Sequence, residues 1–359
     1  MNHYLTTEPL PVDIVLAPEW WHKHAGISFD KDFFFHPARR LEAEQKMEKV
    51  LYEKWGQFGL GRDNEIQKPE VGAVHLASGY LISEMLGCEV EYRENHPPLV
   101  LPALQDKPSI DIDKAFQSQA FRRFLHLMEE LKKRRGYLTG DVNWSGILNI
   151  ALDLSGENLF LEMAMNEGQT KDYFSRLSKV IERFVSGVKK ETGTSSISVN
   201  RNVRNFNKPV FLHSECSHTM ISSEDYEKFL LPFDVEWSQR HRPFGIHYCG
   251  QDPHRHAQSF AKIPHLDFLD VGWGGDIKTL RKHLPGTFFN IRLSPVEIKH
   301  QPDEELRKII TGLVKDSGNP YLTGVCCINM DEEVEDTKID TLFETVNDLR
   351  TGYLKNMNG

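Results

Sequence analysis

The stretch FGIHYCGQDPHRHAQSFAKIPHLDFLDV, residues 244–271, carries the pattern that decides the fold of this chain. It begins with a short apolar run, which is typical of a buried strand, and the pair Asp252-Pro253 then favours the start of a helix. A second β-prone run follows at residues 267–271. Buried strands separated by helices are typical of a parallel sheet whose two faces are both covered.

The same alternation runs through the second half of the chain. Short apolar or β-prone runs, most of them separated by capped helical patterns, occur at residues 209–213, 244–248, 267–271, 287–291 and 321–325. Their starts are separated by roughly 20–35 residues, the βα period of a TIM barrel or of an open doubly wound sheet. Because the glycine-rich dinucleotide fingerprint of the open fold is missing, we predict an α/β protein built on a TIM (β/α)8 barrel with an N-terminal, mainly helical extension.

The composition is that of an ordinary globular protein, with 359 residues of which 39% are hydrophobic and 26% charged. No linker rich in Pro, Gly or Ser is long enough to separate domains, so we expect a single domain over residues 1–359. Residues 1–70 are predicted to form a helical segment packed on the barrel, with one helix that begins near Pro37 and ends at Gly56.

Charge and cysteine content restrict the surroundings of the protein. A net charge of −9 without a basic face argues against a nucleic-acid partner. The N-terminal residues lack the pattern of a signal peptide, and no apolar run approaches the ~18 residues that span a bilayer, so we expect no membrane contact. An odd number of cysteines, five, argues against a disulfide framework, and we therefore expect reduced thiols and a cytoplasmic location.

The predicted strand at residues 244–248 leads into two potential metal ligands, His247 and Cys249. Side chains two positions apart on a strand share a face, and barrel enzymes place their sites at the carboxyl ends of the strands. Imidazole and thiolate are both favoured zinc ligands. The alternative is that His247 is a hydrogen-bonded core histidine and Cys249 a buried thiol.

A third ligand is available after the predicted strand at residues 321–325, where Cys326 and Cys327 follow. The carboxyl ends of barrel strands open on the same face, so this loop can meet His247 and Cys249. Three such ligands leave one tetrahedral position open, as catalytic zinc requires. The sequence contains no C-x-x-C pair, which argues against a zinc finger.

The sequence HSECSH, residues 213–218, is a rival cluster of possible ligands. Because it follows a predicted strand, His213 or Glu215 could line the same pocket, as a fourth zinc ligand or as a catalytic acid or base. The alternative is a loop whose polar groups contact water.

Three segments carry a resemblance to a known superfamily: ISSEDYEKFLLPF at residues 221–233, GIHYCG at 245–250 and GVCCI at 324–328. They resemble the uroporphyrinogen decarboxylase superfamily and, within it, the zinc-dependent, cobalamin-linked methyltransferases with a His-x-Cys…Cys signature. The resemblance is clearest from about residue 211 to the C-terminus, and weaker over residues 137–160.

The resemblance implies a TIM barrel and zinc ligands at His247, Cys249 and, in the C-x-I context, Cys326 rather than Cys327. It also implies a zinc methyltransferase that works with cobalamin. The aromatic run EWWHKHAGISFDKDFFFHP, residues 19–37, could wall an aromatic substrate, so we expect the methyl group to move between a small O-methyl (methoxy-aromatic) substrate and cobalamin, as in one component of an O-demethylase system. The Asp-x-His-x-x-Gly motif of cobalamin-binding modules does not occur in the sequence. The corrinoid is therefore expected on a separate protein that docks at the barrel mouth.

Three other functions were weighed against this one. The first is methyl transfer in the opposite direction, from methylcobalamin to a thiol bound at zinc. The second is decarboxylation of a tetrapyrrole, which the stretch PEWWHKHAG at residues 18–26 disfavours, since it lacks the arginine that the decarboxylases use to bind substrate carboxylates. The third is a barrel without catalytic activity that binds a small ligand.

Overall fold

In the computed structural model, residues 6, 8–63, 80–104, 109–136, 138, 144–192 and 210–358 are described. Parts of several predicted segments lie outside them: residue 209 of the first predicted strand, residues 137 and 139–143 of the weaker resemblance, and residues 1–5, 7 and 64–70 of the N-terminal segment.

The strands and helices alternate mainly in the second half of the chain. The strands are β1 Val12–Leu16, β2 Glu89–Glu91, β3 Leu99–Leu101, β4 Phe211–Ser214, β5 Phe244–His247, β6 Phe268–Val271, β7 Phe288–Leu293 and β8 Thr323–Met330. The helices are α1 Pro18–Ala25, α2 Lys31–Phe35, α3 Pro37–Trp55, α4 Tyr80–Met85, α5 Ile112–Phe116, α6 Gln119–Arg135, α7 Ile147–Ser155, α8 Asn158–Met165, α9 Glu167–Thr192, α10 Ser223–Phe229, α11 Leu231–Arg240, α12 Ala257–Phe260, α13 Ile277–His283, α14 Pro295–His300, α15 Asp303–Ser317 and α16 Asp336–Asn358.

Six parallel strands form one curled sheet, in the order β1-β8-β7-β6-β5-β4. The five strands predicted in the second half are confirmed as β4 to β8, and the α/β class is confirmed with them. Closure into an eight-stranded barrel stays a prediction. The described part of the N-terminal segment contains α1, α2 and α3, and it also contributes β1, which pairs with β8 along the edge of the sheet.

Burial explains why these runs form sheet strands. All six residues of β7 are buried, and so are all four residues of β4, β5 and β6. Strands that are apolar without interruption need cover on both faces, and the connecting helices supply it on the outer face. In α15, for example, Leu306, Ile310 and Val314 recur every four residues and are buried, while Asp303 and Glu304 in its first turn favour the amino end of the helix.

The inner face of the sheet changes from apolar to polar along the strands. Val210, Leu212, Phe268 and Phe288 form a separate apolar cluster near the amino ends of the strands. Because side chains alternate along a strand, the residues two positions later on β6 and β7 share this face, and they are Asp270 and Asn290. The carboxyl ends of the strands thus carry the polar groups, which is the end where the metal ligands were predicted. No helix in the described ranges is long and apolar enough to cross a membrane.

Candidate metal centre

Three possible ligands for a metal ion meet where β4 and β5 end. The Sγ atoms of Cys216 and Cys249 and a ring nitrogen of His247 all lie within 4.8 Å of one another. Nε2 of His247 is 2.8 Å from Sγ of Cys249, and the two sulfur atoms are 2.6 Å apart. His247 is buried, Cys249 is half-buried and Cys216 is exposed, so the group opens to solvent on the Cys216 side.

A carboxylate holds the imidazole of His247 in place. His247 is the last residue of β5 and pairs in register with Asp270 of β6, and its Nδ1 hydrogen-bonds to Oδ2 of Asp270. Both side chains are buried. Since Nδ1 donates to the carboxylate, Nε2 is the nitrogen that faces Cys249, and it would bind a metal ion after giving up its proton. Asp270 in turn accepts a hydrogen bond of 3.2 Å from the side-chain amide of Asn290.

Cys216 is positioned by the amino end of α7. The carboxylate of Glu215 accepts hydrogen bonds from the backbone N–H groups of Leu148 (2.8 Å) and Asn149 (2.9 Å), which are among the unpaired donors of that helix end. On the other side of Cys216, the hydroxyl of Ser217 donates to Oδ1 of Asn149 at 2.6 Å. The residues before and after Cys216 are therefore both anchored to α7, and the thiol between them has a defined position.

The loops after β5 and β6 approach each other closely beside Cys249. A Cβ atom on Gly272 would lie 1.7 Å from the carbonyl oxygen of Gly250, so a side chain at residue 272 is sterically excluded. The backbone of Gly250, one residue after Cys249, is thus packed against the loop that follows β6. This contact explains two of the glycines that follow the strands and holds the Cys249 loop near Asp270.

Cys216, His247 and Cys249 change one another's pKa values. The hydrogen bond from Cys216, together with the positive charges of His247 and Arg292, lowers the pKa of Cys249 to about 3, although burial opposes this. Burial lowers the pKa of His247, but the charges of Cys249 and Asp270 outweigh it and raise that pKa to about 9. The Cys216 thiol donates to Cys249, and its pKa is raised well above the ordinary value. Cys249 is therefore a thiolate, the form of cysteine that binds metals, at neutral pH.

A buried arginine lies next to the three ligands. Arg292 on β7 is 3% exposed, and its Nη1 is 3.3 Å from Nε2 of His247 and 3.4 Å from Sγ of Cys249. Its guanidinium carbon is 5.4 Å from the ring centroid of Trp273, which is half-buried in the loop after β6. Burial lowers the pKa of Arg292, but the charges of Asp270 and Cys249 reverse this, so the guanidinium stays charged.

Cys326, the predicted third ligand, lies deeper in the structure. It is fully buried on β8 and pairs in register with Asp13 on one side and Arg292 on the other. Burial raises its pKa well above the ordinary value. Cys327 belongs to the main apolar core. Among the described residues, the group of donor atoms within 4.8 Å of one another contains His247 and Cys249 and does not include Cys326.

His213 and Glu215, the predicted acid or base residues, are fully buried and face the helices that cover the sheet. Nδ1 of His213 is 2.7 Å from a carboxylate oxygen of Asp234 on α11, and its Nε2 is 3.4 Å from Glu215. The ring also contacts Trp237 edge-on. The contacts of His213 and Glu215 are those of a polar link between β4, α7 and α11. Their catalytic role stays a prediction.

Two residues of the centre were missed at the sequence level. Cys216 lies in the rival cluster HSECSH, in which only His213 and Glu215 were predicted as site residues. The usable signal was its position two residues after the end of β4, the strand that pairs with β5. Arg292 had no such signal, since a single arginine within the apolar run FFNIRL does not reveal that its head group reaches Cys249.

Comparisons with known proteins show the fold. No protein-family model matches the chain, and no curated protein matches it in sequence. Among solved structures, the chain is similar to a methyltransferase from Methanosarcina mazei, with 12% identity and a TM-score of 0.65 over 96% of this chain and 94% of that one. It is also similar to a B12-independent methionine synthase from Shewanella sp. W3-18-1, solved in complex with selenomethionine, with 8% identity and a TM-score of 0.51 over 99% of this chain and 100% of that one. At these identities the likeness establishes a shared fold over nearly the whole chain.

Proposed function

We propose that the chain is a metal-dependent methyltransferase whose reactive site is formed by His247, Cys249 and a further thiolate at the carboxyl ends of β4 and β5. The observation that carries this proposal is the group of two thiols and one imidazole with donor atoms within 4.8 Å of one another. The fold it shares with the methyltransferase from Methanosarcina mazei supports methyl transfer as the reaction.

The donor set fits zinc. Two thiolates and one imidazole are the ligands that zinc prefers, and three protein ligands leave a fourth position for a substrate atom. The hydrogen bond from His247 to Asp270 adds the carboxylate partner that metal-binding histidines usually have. Two negative sulfur ligands also balance the two positive charges of the ion, which matters here because Arg292 brings a further positive charge close to the site.

The third ligand is the point on which the geometry and the resemblance differ. The geometry supports Cys216, whose Sγ lies within 4.8 Å of the donor atoms of both His247 and Cys249. The resemblance supports Cys326, which is buried on β8 beside Arg292. We take Cys216 as the third ligand, because it lies within the group of donor atoms as described. The two assignments predict opposite results for a pair of cysteine variants.

Zinc bound by this donor set would act as a mild Lewis acid that polarises an ether oxygen or binds a thiol as the thiolate. The residues of the chain supply the rest of the site. His247 and Cys249 direct their donor atoms to one point, and Asp270 keeps the proton of His247 on Nδ1. The exposed side of Cys216 leaves the site accessible from solvent.

We propose that the methyl group moves between a methoxy-aromatic substrate and a corrinoid carried by a separate protein. The sequence favours a separate carrier because it contains no Asp-x-His-x-x-Gly motif. The half-buried ring of Trp273 at the site supports a flat, aromatic substrate. A second candidate is transfer to a thiol without a corrinoid, which the fold shared with a B12-independent methionine synthase favours.

A methyl-labelling experiment tests both candidate reactions, methyl transfer to a corrinoid and methyl transfer to a thiol. The zinc-loaded protein is mixed with a reduced corrinoid and a methoxy-aromatic compound that carries an isotope in its methyl group. Label in the corrinoid fraction supports the proposal if it is absent with Cys249→Ala and retained with Cys88→Ala. Cys88→Ala is the control, because Cys88 is a buried thiol that hydrogen-bonds to the carbonyl of Asp153. Label that moves only from a methyl donor to an added thiol supports the second candidate. No transfer in either arm contradicts both.

A further inference from the structure

Arg292 leaves part of its hydrogen-bonding capacity unused. Its Nε has no hydrogen-bond partner among the described residues, and its Nη1 lies 3.3 Å from Nε2 of His247 and 3.4 Å from the sulfur of Cys249. The anion in contact with the guanidinium is the thiolate of Cys249, while the charge of Asp270 acts on it without a salt bridge. An arginine that is 3% exposed rarely keeps a donor without a partner.

Metal binding weakens the contacts that Arg292 does have. A metal ion bound by His247 and Cys249 would take the lone pair of Nε2 and one lone pair of Sγ, so the sulfur of Cys249 would carry less negative charge toward Nη1. The guanidinium would then be a charged group whose Nε has no partner among the described residues, directly beside the position of the substrate. An anion that reached it would gain charge-assisted hydrogen bonds in a place that water hardly enters.

The neighbouring ring borders the place where such an anion would bind. The guanidinium carbon of Arg292 lies 5.4 Å from the ring centroid of Trp273. A cation–π contact of this kind takes up none of the N–H donors of a guanidinium, so its donor edge stays available for a carboxylate. The edge, the Trp273 ring and the metal ligands thus belong to one site.

The geometry points to Arg292 as the residue that binds an anionic group of the substrate. The substrate of the proposed reaction is then a small organic acid in which a short spacer separates the oxygen or sulfur that exchanges the methyl group from a carboxylate or similar anion. This inference rests on the proposed function and narrows its substrate class. A methoxy-aromatic acid and a thiol acid both fit, and they share the same anionic group.

Calorimetric binding to the zinc-loaded protein tests the inference without an activity assay. Two acids, mercaptopropionate and methoxybenzoate, are each compared with their uncharged methyl ester. We expect at least one acid to bind about tenfold more tightly than its ester, since the ester cannot form the charge-assisted hydrogen bonds of the carboxylate. The acid that shows the preference identifies which of the two substrate classes the site takes.

Variants assign the preference to one side chain. Arg292→Met should abolish the difference between acid and ester, and Arg292→Lys should restore part of it, with zinc content and circular dichroism unchanged. Arg255→Met is the control, because Arg255 follows β5, the strand that carries His247, but pairs with Asp252 and with the carbonyl of His218. This variant should keep the full preference.

Two results would overturn the inference. One is equal affinity for both acids and their esters in the wild-type protein, and the other is a preference that survives Arg292→Met. Both leave zinc binding and methyl transfer untouched. A failure of the proposed function has a different signature, namely protein that binds no zinc or transfers no methyl group.

Discussion

His247 and Asp270 are paired in register on neighbouring strands, and the imidazole Nδ1 hydrogen-bonds to the carboxylate. This pairing determines which nitrogen of His247 is available as a ligand. With Nδ1 held by the carboxylate, Nε2 faces the sulfur of Cys249 at 2.8 Å, and loss of its proton on metal binding would free its lone pair. The register between β5 and β6 therefore determines that Nε2 of His247 is the nitrogen available to a metal ion.

Asp270→Asn should weaken zinc binding about 10–100-fold, because the partner of a metal-bound histidine tunes both its orientation and its basicity. Competition with a chromophoric chelator measures the affinity. Asp13→Asn is the matched control, since Asp13 is also a buried carboxylate that accepts a hydrogen bond from Asn290. Equal losses in the two variants would show that Asp270 has no special role at the metal.

Cys216→Ser and Cys326→Ser distinguish the two candidate third ligands. Cys216→Ser should lose most of the zinc and Cys326→Ser should retain it, because Cys216 lies in the donor group and Cys326 does not. Elemental analysis of protein never exposed to a chelator gives the answer. The opposite pattern would assign the site to His247, Cys249 and Cys326, as the sequence resemblance implies.

Alkylation reports the thiolate at Cys249. Because the pKa of Cys249 is lowered to about 3, metal-free protein should react with iodoacetamide at this residue at nearly the same rate between about pH 5 and pH 8. Cys216→Ala removes the hydrogen bond that contributes most to this shift, so the rate should then rise with pH. Mass spectrometry of the labelled peptide measures both rates. A wild-type rate that rises about tenfold per pH unit over this range would contradict the lowered pKa.

His213 should make stability depend on pH. Burial lowers its pKa, but Asp234 and Glu215 outweigh this and raise it from 6.5 to about 9. A histidine whose pKa is raised on folding stabilises the protein fully below its unfolded pKa and loses this effect as pH rises through the folded one. We therefore expect His213→Asn to cost several kcal/mol below about pH 6.5, with on the order of 3 kcal/mol of that difference disappearing by about pH 9.5.

Urea unfolding of both proteins across this pH range measures the difference in the free energy of unfolding. A constant difference between wild type and His213→Asn would mean that the imidazole is neutral in the folded protein. The same experiment bears on the predicted catalytic role of His213. A buried histidine that hydrogen-bonds to Asp234 is expected to change the free energy of unfolding, whether or not it also takes part in catalysis.

The sequence predicted the elements better than it predicted the site. Apolar runs bounded by capped helices located β4 to β8, because burial on both faces leaves a local trace in the sequence. His247 and Cys249 were predicted as ligands from a similar local pattern, two residues that share one face at the end of one strand, and their donor atoms do lie close together. The contacts of Cys216 and Arg292 depend on how β4, β5 and β7 are placed side by side, and neighbouring residues along the chain do not encode that placement.

The edge strand β1 illustrates the same limit. Residues 12–16 read as part of a helical N-terminal segment, yet they form a strand that pairs with β8, more than three hundred residues away in the chain. A pairing of such long range is decided by the exposed edge that β8 offers, and a short run such as VDIVL is ambiguous between strand and helix until that partner is known.

Zinc stoichiometry tests the metal centre most directly. The wild-type protein, purified without chelator, should contain close to one zinc ion per chain by elemental analysis. Cys249→Ala should contain almost none while keeping its circular dichroism spectrum, since the change removes a single half-buried thiol. Wild-type protein with far less than one zinc per chain, or Cys249→Ala with as much zinc as wild type, would contradict a metal centre at His247 and Cys249.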